Sequence, residues 1–74
     1  MDHDFSIGDL VKFSGCYTVL DPDGQTRIEM DSHFKQGIIL EILDEYICVY
    51  SSNLCYTIPI HGLGESVEVL TVEQ

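Results

Sequence analysis

Cysteine and histidine are the side chains of this sequence best suited to metal or nucleophilic chemistry. Thiolates and imidazoles bind zinc, and a cysteine beside a histidine base is an activated nucleophile. The candidates do not form the closely spaced pairs of a structural zinc site; they are Cys16, His33, Cys48, Cys55 and His61. A nucleophile also needs a base and an orienting group that converge in a pocket, for which a chain of 74 residues has little room. We therefore expect no metal, no cofactor and no enzymatic activity.

The segment Asp21-Pro22-Asp23-Gly24 begins like a calcium-binding loop. The third acidic residue, the spacing to glycine and the terminal glutamate do not match an EF-hand. Pro22 instead presets φ at the second position of a turn, and Gly24 tolerates the positive φ that ends a type I turn with a bulge. The segment therefore predicts a hairpin turn, carrying solvated acids, between strands at 16–20 and 25–30.

Acidic side chains are concentrated on this projecting hairpin, and we take them as candidate protein-binding residues: Asp21, Asp23, Glu29 and Asp31. The whole chain has thirteen Asp and Glu against three Lys and Arg, a formal net charge of −10. Nucleic-acid affinity is built mainly from Lys and Arg, so direct binding to DNA or RNA is not expected. The charge suits a protein partner with a basic surface, or it serves only solubility.

The length and the cysteine count describe one small domain with free thiols. A chain of 74 residues buries only ~60% of the surface that its unfolded form exposes. The cysteines number three, an odd count without short spacing, so we expect them to be reduced, in a cytoplasmic setting. No stretch approaches the roughly 20 apolar residues that cross a bilayer, and no membrane association is expected.

Short β-branched and aromatic segments follow one another along the chain and predict an all-β fold. The first strand is expected to place Val11 and Phe13 on one face and to stop at 14–15. A second main strand is expected to begin at residue 37, with apolar residues on both faces. We assign Ile39 and Leu43 to its partly covered outer face, where they are candidate contact residues.

The later segments predict three further strands. In the strand at 46–51, alternation directs Ile47 and Val49 inward and the tyrosines outward. Pro59 cannot donate a ladder hydrogen bond, so the strand at 55–60 is expected to run along an edge or to be bulged there. A single 3₁₀ turn at 61–65 and a closing strand at 66–70 complete the barrel. Residues 1–6 are expected to form a short arm, and 7–74 a single domain.

This order of elements resembles the small SH3-like barrels, and among them the short stand-alone proteins of tailed bacteriophages. The resemblance covers most of residues 7–70 and implies a closed or nearly closed barrel of five strands, whose long first connection, here with an inserted hairpin, takes the position of the RT loop. The chain departs from the pattern in lacking a Trp or basic residues on the third strand. The segments that carry the resemblance are Ile-Gly-Asp-Leu-Val at 7–11, Gly-Ile-Ile-Leu-Glu-Ile at 37–42, Tyr-Ile-Cys-Val-Tyr at 46–50, Tyr-Thr-Ile-Pro-Ile at 56–60 and Val-Glu-Val-Leu at 67–70.

Tyrosines are the candidate residues for peptide recognition, because a proline-rich ligand needs an aromatic groove beside an acidic loop. Tyr46 and Tyr50 are predicted on one face of one strand, with Tyr56 as a neighbour across the ladder. Tyrosine is also a good strand residue, so a less specific protein-contact surface on the same patch is the stronger reading.

Two functions remain open at this point. The first is a non-enzymatic SH3-like barrel that serves as a small structural or accessory phage component bound to a larger assembly, in the virion or the host cytoplasm. The second is an acidic inhibitor that occupies the basic nucleic-acid-binding face of a host enzyme. Either function needs a protein partner with an apolar or basic surface, and the outward apolar residues also allow a homo-oligomer.

Overall fold

The computed structural model describes residues 5–62 and 67–72, which form five strands and a 3₁₀ turn. The closing strand begins at Val67, so the predicted start at residue 66 and most of the predicted arm lie outside the described residues. Phe5 packs against the core and so anchors the end of that arm. The elements are β1 (Leu10–Leu20), β2 (Thr26–Ile42), β3 (Tyr46–Ser51), β4 (Leu54–Pro59), the 3₁₀ turn (Ile60–Gly62) and β5 (Val67–Thr71).

Strand β1 closes the barrel because its two edges are used differently. One edge pairs with β2 along almost the whole strand. The other edge pairs first with β5, over Val11–Gly15, and then with β4, over Thr18–Leu20. The pairs β2–β3 and β3–β4 complete a ring of four strands, and β5 is bonded outside it. The chain is therefore all-β and forms a small five-stranded barrel, as the sequence predicted.

The core follows from side-chain alternation along the strands. Val11 and Phe13 point inward, as do Ile47 and Val49, which confirms both of these face assignments. The rings of Phe13, Tyr17 and Tyr56 meet edge to face, with centroids 5.1 to 5.4 Å apart, a geometry that aromatic pairs favour. The buried apolar residues are Val11, Phe13, Tyr17, Val19, Ile39, Ile47, Val49, Tyr56, Ile58 and Val67.

The predicted hairpin is present but is not a separate insertion. Strands β1 and β2 continue through it, so the expected stop at 14–15 is wrong. A bulge replaces that stop, because Ser14 of β1 faces residues 32–34 of β2. The turn itself is confirmed: Asp21 N–H donates to Gln25 O at 2.8 Å, and Gly24 has φ +87°.

The two faces of β2 are the reverse of those predicted at Ile38 and Ile39, whereas beyond a bulge at residue 40 Ile42 stands opposite the buried Ile47, on the side that was predicted. Ile39 is fully buried, so it cannot be the surface contact residue that we expected, and Leu43 is half-buried beyond the strand. Gly37 explains the inward face: a Cβ there would lie 2.6 Å from Tyr50 O and 2.6 Å from Val49 Cγ1. Since residues two apart share a face, this close approach fixes Ile39 inward and Ile38 outward.

Strand β4 is not an edge strand, since it lies between β3 and β1. Pro59 is nevertheless accommodated without loss. Ile60 N–H donates to Glu45 O at 2.9 Å, so alternation turns the missing donor of Pro59 away from β3. On that side the pairing with β1 has already ended, at Thr57.

Candidate functional site

The hairpin formed by β1 and β2 has an inner face that carries an ion-pair network. Register places Arg27 opposite Val19, and Glu29 opposite Tyr17, so these charged residues share the face of the core. Arg27 pairs with Asp21 and, at 3.4 Å, with Glu29. Two of the three basic residues of the chain are used here, because Lys35 Nζ lies 3.6 Å from both Glu29 and Asp31.

The network also caps the aromatic core. Tyr17 Oη donates to Asp31 Oδ2 at 2.6 Å, and Tyr56 Oη lies 3.5 Å from Glu29 Oε1. Burial, followed by the bond to Asp31, raises the pKa of Tyr17 well above its ordinary value, and burial likewise raises the pKa of Tyr56. The bond from Tyr17 holds the pKa of Asp31 below its usual value. At neutral pH the phenols are therefore neutral donors and the carboxylate is an anionic acceptor.

The predicted acidic face is therefore divided. Asp21, Glu29 and Asp31 are half-buried and ion-paired, whereas Asp23 is exposed in the turn. The sequence pattern showed the acids but not their partners, because the bulge and the strand register bring Lys35 beside Asp31. These three acids act first as structural groups.

Tyr56 is in a different place from the one we expected. Only 1% of it is exposed, and it lies inside the barrel opposite Val19 and Val49. Alternation along β4 gives this result once Pro59 is placed outward, because residues 56 and 58 then point inward together. Tyr56 cannot belong to a surface groove with Tyr46 and Tyr50.

The outer face of β2 carries the surface that sequence reasoning missed. Ile28 is 75% exposed and Met30 is 80% exposed, on the side of the hairpin opposite the ion pairs. The same strand face continues onto the barrel with further exposed apolar residues. We call this set the outer apolar surface; it consists of Ile28, Met30, Phe34, Ile38 and Leu40.

Tyr50 extends the outer apolar surface onto β3. It is exposed, stands opposite Ile38, and its hydroxyl donates to Asn53 Oδ1 at 2.8 Å. Tyr46 is half-buried further along the same face. Beside Tyr50 is an open groove of about 640 Å³, lined by Leu20, Asp21, Pro22, Gly24, Tyr50, Asn53 and Cys55.

The cysteines and histidines of the described residues form no metal-binding group. In the described ranges no three His, Cys, Asp or Glu side chains are grouped so that they could hold a metal ion. Burial raises the pKa of the Cys48 thiol, which is the opposite of the shift that activates a cysteine. Within the same ranges no helix is long and apolar enough to span a membrane.

Comparisons of the chain with known protein families, with curated proteins and with solved structures gave no match. The geometry of the barrel and of its two-faced hairpin is therefore the basis for assigning a function.

Proposed function

We propose that this chain is a non-enzymatic protein-interaction barrel that binds a protein partner through its outer apolar surface. The observation that carries the proposal is the exposure of Ile28 and Met30, 75% and 80%, on one face of a projecting hairpin. Single exposed apolar residues are common, but an exposed series along one strand face is typical of protein contact sites.

The resemblance to the small SH3-like barrels of tailed bacteriophages supports a more specific role. The chain would be a structural or accessory phage component, and its partner a larger assembly in the virion or the host cell. Apolar contact of this kind is typical of lasting assemblies, whose interfaces are more hydrophobic than transient ones.

A non-enzymatic role is supported by the way the barrel is filled. Phe13, Tyr17 and Tyr56 occupy the interior with mutual ring contacts, and the phenols are held neutral by burial. The groove beside Tyr50 is open and mostly apolar rather than a site of converging acids and bases.

The acidic inhibitor has less support. Its strongest feature was the group of acids on the hairpin, and three of these form ion pairs with Arg27 and Lys35 on the inner face. An inhibitor that used them would first have to break these ion pairs.

Affinity capture from native host lysate and from phage-infected lysate tests the proposal. The baits are the wild-type chain, Met30→Lys, Leu40→Lys and a matched control, Ile7→Lys. Ile7 is an exposed apolar residue of the turn before β1, where the main chain bonds to Ile39, so its replacement adds the same charge at the far end of β2 from Met30. Each capture is washed at low and at high salt.

We expect proteins that wild type and Ile7→Lys retain at both salt concentrations and that Met30→Lys and Leu40→Lys lose. Retention of the same proteins by all four baits would contradict the proposal. Retention that is lost at high salt and unaffected by Met30→Lys would favour the acidic inhibitor instead.

A further inference from the structure

The second edge of β2 is open along the hairpin. Strand β1 occupies one edge, and β3 pairs with the other only from Ile38 onward. Between Thr26 and Phe34, no strand within residues 5–62 and 67–72 pairs with this edge. An open edge presents a row of main-chain donors and acceptors to which another strand can add.

The hydrogen bonds of the turn determine which residues direct their main-chain N–H and C=O groups toward the open edge. Asp21 N–H donates to Gln25 O, and bonded pairs alternate with non-bonded pairs in an antiparallel ladder. The main-chain groups of Arg27 and Glu29 therefore point to β1, and those of Thr26, Ile28 and Met30 point to the open edge. Further along β2, Gln36 O accepts a hydrogen bond from Ser51 Oγ, on the side away from β1. This agrees with the alternation, because residue 36 is also even-numbered.

The residues on this edge are self-complementary. Only even-numbered residues can bond across two copies of the edge, so a two-fold axis must lie at a residue. In the regular part of the strand, before the bulge at 32–34, the possible axes are Arg27, Ile28, Glu29, Met30 and Asp31, and an axis at Asp31 opposes two aspartates. An axis at Arg27 opposes two arginines, and an axis at Glu29 opposes two glutamates. An axis at Met30 opposes Glu29 to Asp31 twice. An axis at Ile28 alone opposes Arg27 to Glu29 of the other copy, twice, with no like-charge pair among them.

We propose that the open edge of β2 pairs antiparallel with the same edge of a second copy, about a two-fold axis at Ile28. Ile28 then opposes itself, and Thr26 opposes Met30, with up to about six main-chain hydrogen bonds, two for each paired residue. The inference rests on the proposed function, because it adds a second copy as a partner of the same hairpin. Pairing through the edge leaves the outer faces open and places them side by side, which widens the apolar surface.

Sedimentation equilibrium of the purified chain over a range of concentrations tests the pairing, with Ile28→Glu, Ile28→Lys and the control Ile7→Lys. Wild type and Ile7→Lys should form dimers as concentration rises. Either variant at position 28 opposes like charges on the axis and should weaken dimerisation by roughly tenfold or more, equivalent to about 1.4 kcal/mol. An equimolar mixture of the two should dimerise again, because Glu then opposes Lys.

Thiol cross-linking tests the register independently. Ile28→Cys should form a disulfide-linked dimer under mild oxidation, because a bonded pair holds its Cα atoms about 5.5 Å apart. Met30→Cys is the matched control, since the two residues 30 would lie about 14 Å apart, at about 3.4 Å per residue. Wild type reports any linkage by the native thiols.

A wild-type chain that stays monomeric at every concentration overturns the pairing. So does a dimer that forms equally well with Ile28→Lys, or that cross-links Met30→Cys as fast as Ile28→Cys. The proposed function fails separately: a monomeric chain that still captures proteins through Met30 and Leu40 loses only the pairing, whereas a dimer without such capture loses the heterologous partner.

Discussion

The two faces of β2 have opposite chemistry along one strand. The inner face carries Arg27, Glu29 and Asp31 in ion pairs, and then Gly37, which has no room for a side chain. The outer face carries Ile28 and Met30, which are largely exposed to solvent. The usual arrangement of a half-buried strand, apolar inside and polar outside, is reversed over the hairpin.

This reversal separates stability from interaction. The charged residues contribute to the fold, because they bond to one another and to the hydroxyls of Tyr17 and Tyr56. The apolar residues add little to the fold, because they bury little surface. Changes on the inner face should therefore alter stability, and changes on the outer face should alter binding.

The largest expected effect on the inner face is that of Gly37→Ala. The new Cβ would lie 2.6 Å from the main-chain oxygen of Tyr50, so the barrel must shift to accept it. We expect a loss of about 2–3 kcal/mol in the free energy of unfolding, typical of overpacking. Urea denaturation measures it. Gln36→Ala, on the exposed face one residue away, should change the value by less than about 0.5 kcal/mol.

The next effect concerns the cap of the core. Tyr17→Phe removes the donor that bonds to Asp31 at 2.6 Å and leaves the ring contacts in place. We expect a loss of about 2 kcal/mol, the usual value for a bond to a charged group. Tyr50→Phe is the matched control, because its hydroxyl bonds to Asn53 at an exposed site. Equal urea midpoints for the two variants would show that the cap does not stabilise the barrel.

The stability of the protein should depend on pH through the hydrogen bonds between the tyrosine hydroxyls and the carboxylates that cap the core. The pKa values of Tyr17 and Tyr56 are raised above the ordinary value of 10.0, so the unfolded chain loses these protons first. Their contribution is complete below about pH 10 and is lost as pH rises further. The pKa of Asp31 is lowered from 3.8, so its contribution is present above that pH and is lost as pH falls through its folded value.

Urea midpoints measured across the pH range should therefore fall at both ends. Tyr17→Phe should flatten both falls, because it removes one phenol and the bond that lowers the pKa of Asp31. If the midpoints of wild type and Tyr17→Phe differed by a constant amount at every pH, the linkage through this bond would be wrong.

The smallest expected effect on stability comes from the outer face. Met30→Lys should change the free energy of unfolding by no more than about 0.5 kcal/mol, because the side chain is already 80% exposed. Urea denaturation of this variant beside wild type checks the value. A loss as large as that of Tyr17→Phe would show that the outer face packs against another part of the same chain.

Local patterns in the sequence correctly predicted the strands that are apolar on one face only, and the turns that carry characteristic residues. Val11 and Phe13 alternate with a lysine, and Pro22 with Gly24 specifies one turn. Ile39 was misplaced because β2 is apolar on both faces at 38–42, where alternation alone cannot choose. Gly37 was the signal for the inward face, since a glycine within a strand often marks a close approach of another backbone, and Ile39 lies on the same face as Gly37.

The candidate site was harder to predict, because its contacts join distant residues. The sequence showed the acids at 21, 23, 29 and 31, but only the bulge opposite Ser14 brings Lys35 to Asp31. Tyr56 was predicted to lie beside the outward tyrosines of β3. In the structure it pairs with the inward Val19 of β1 and is buried. Ile28 and Met30 were predicted as strand residues, but their exposure was not predicted. It arises because the charged residues Arg27 and Glu29, rather than the apolar ones, face inward.

Amide hydrogen exchange along β2, followed by NMR, tests the central claim most directly. We expect slow exchange at Arg27 and Glu29, whose main-chain groups bond to β1, and fast exchange at Ile28 and Met30 in dilute solution. Exchange at Ile28 and Met30 should slow as the concentration of the chain rises, while Arg27 and Glu29 stay unchanged. Protection of Ile28 and Met30 equal to that of Arg27 and Glu29 in the dilute monomer would contradict the claim, because the edge would already be covered.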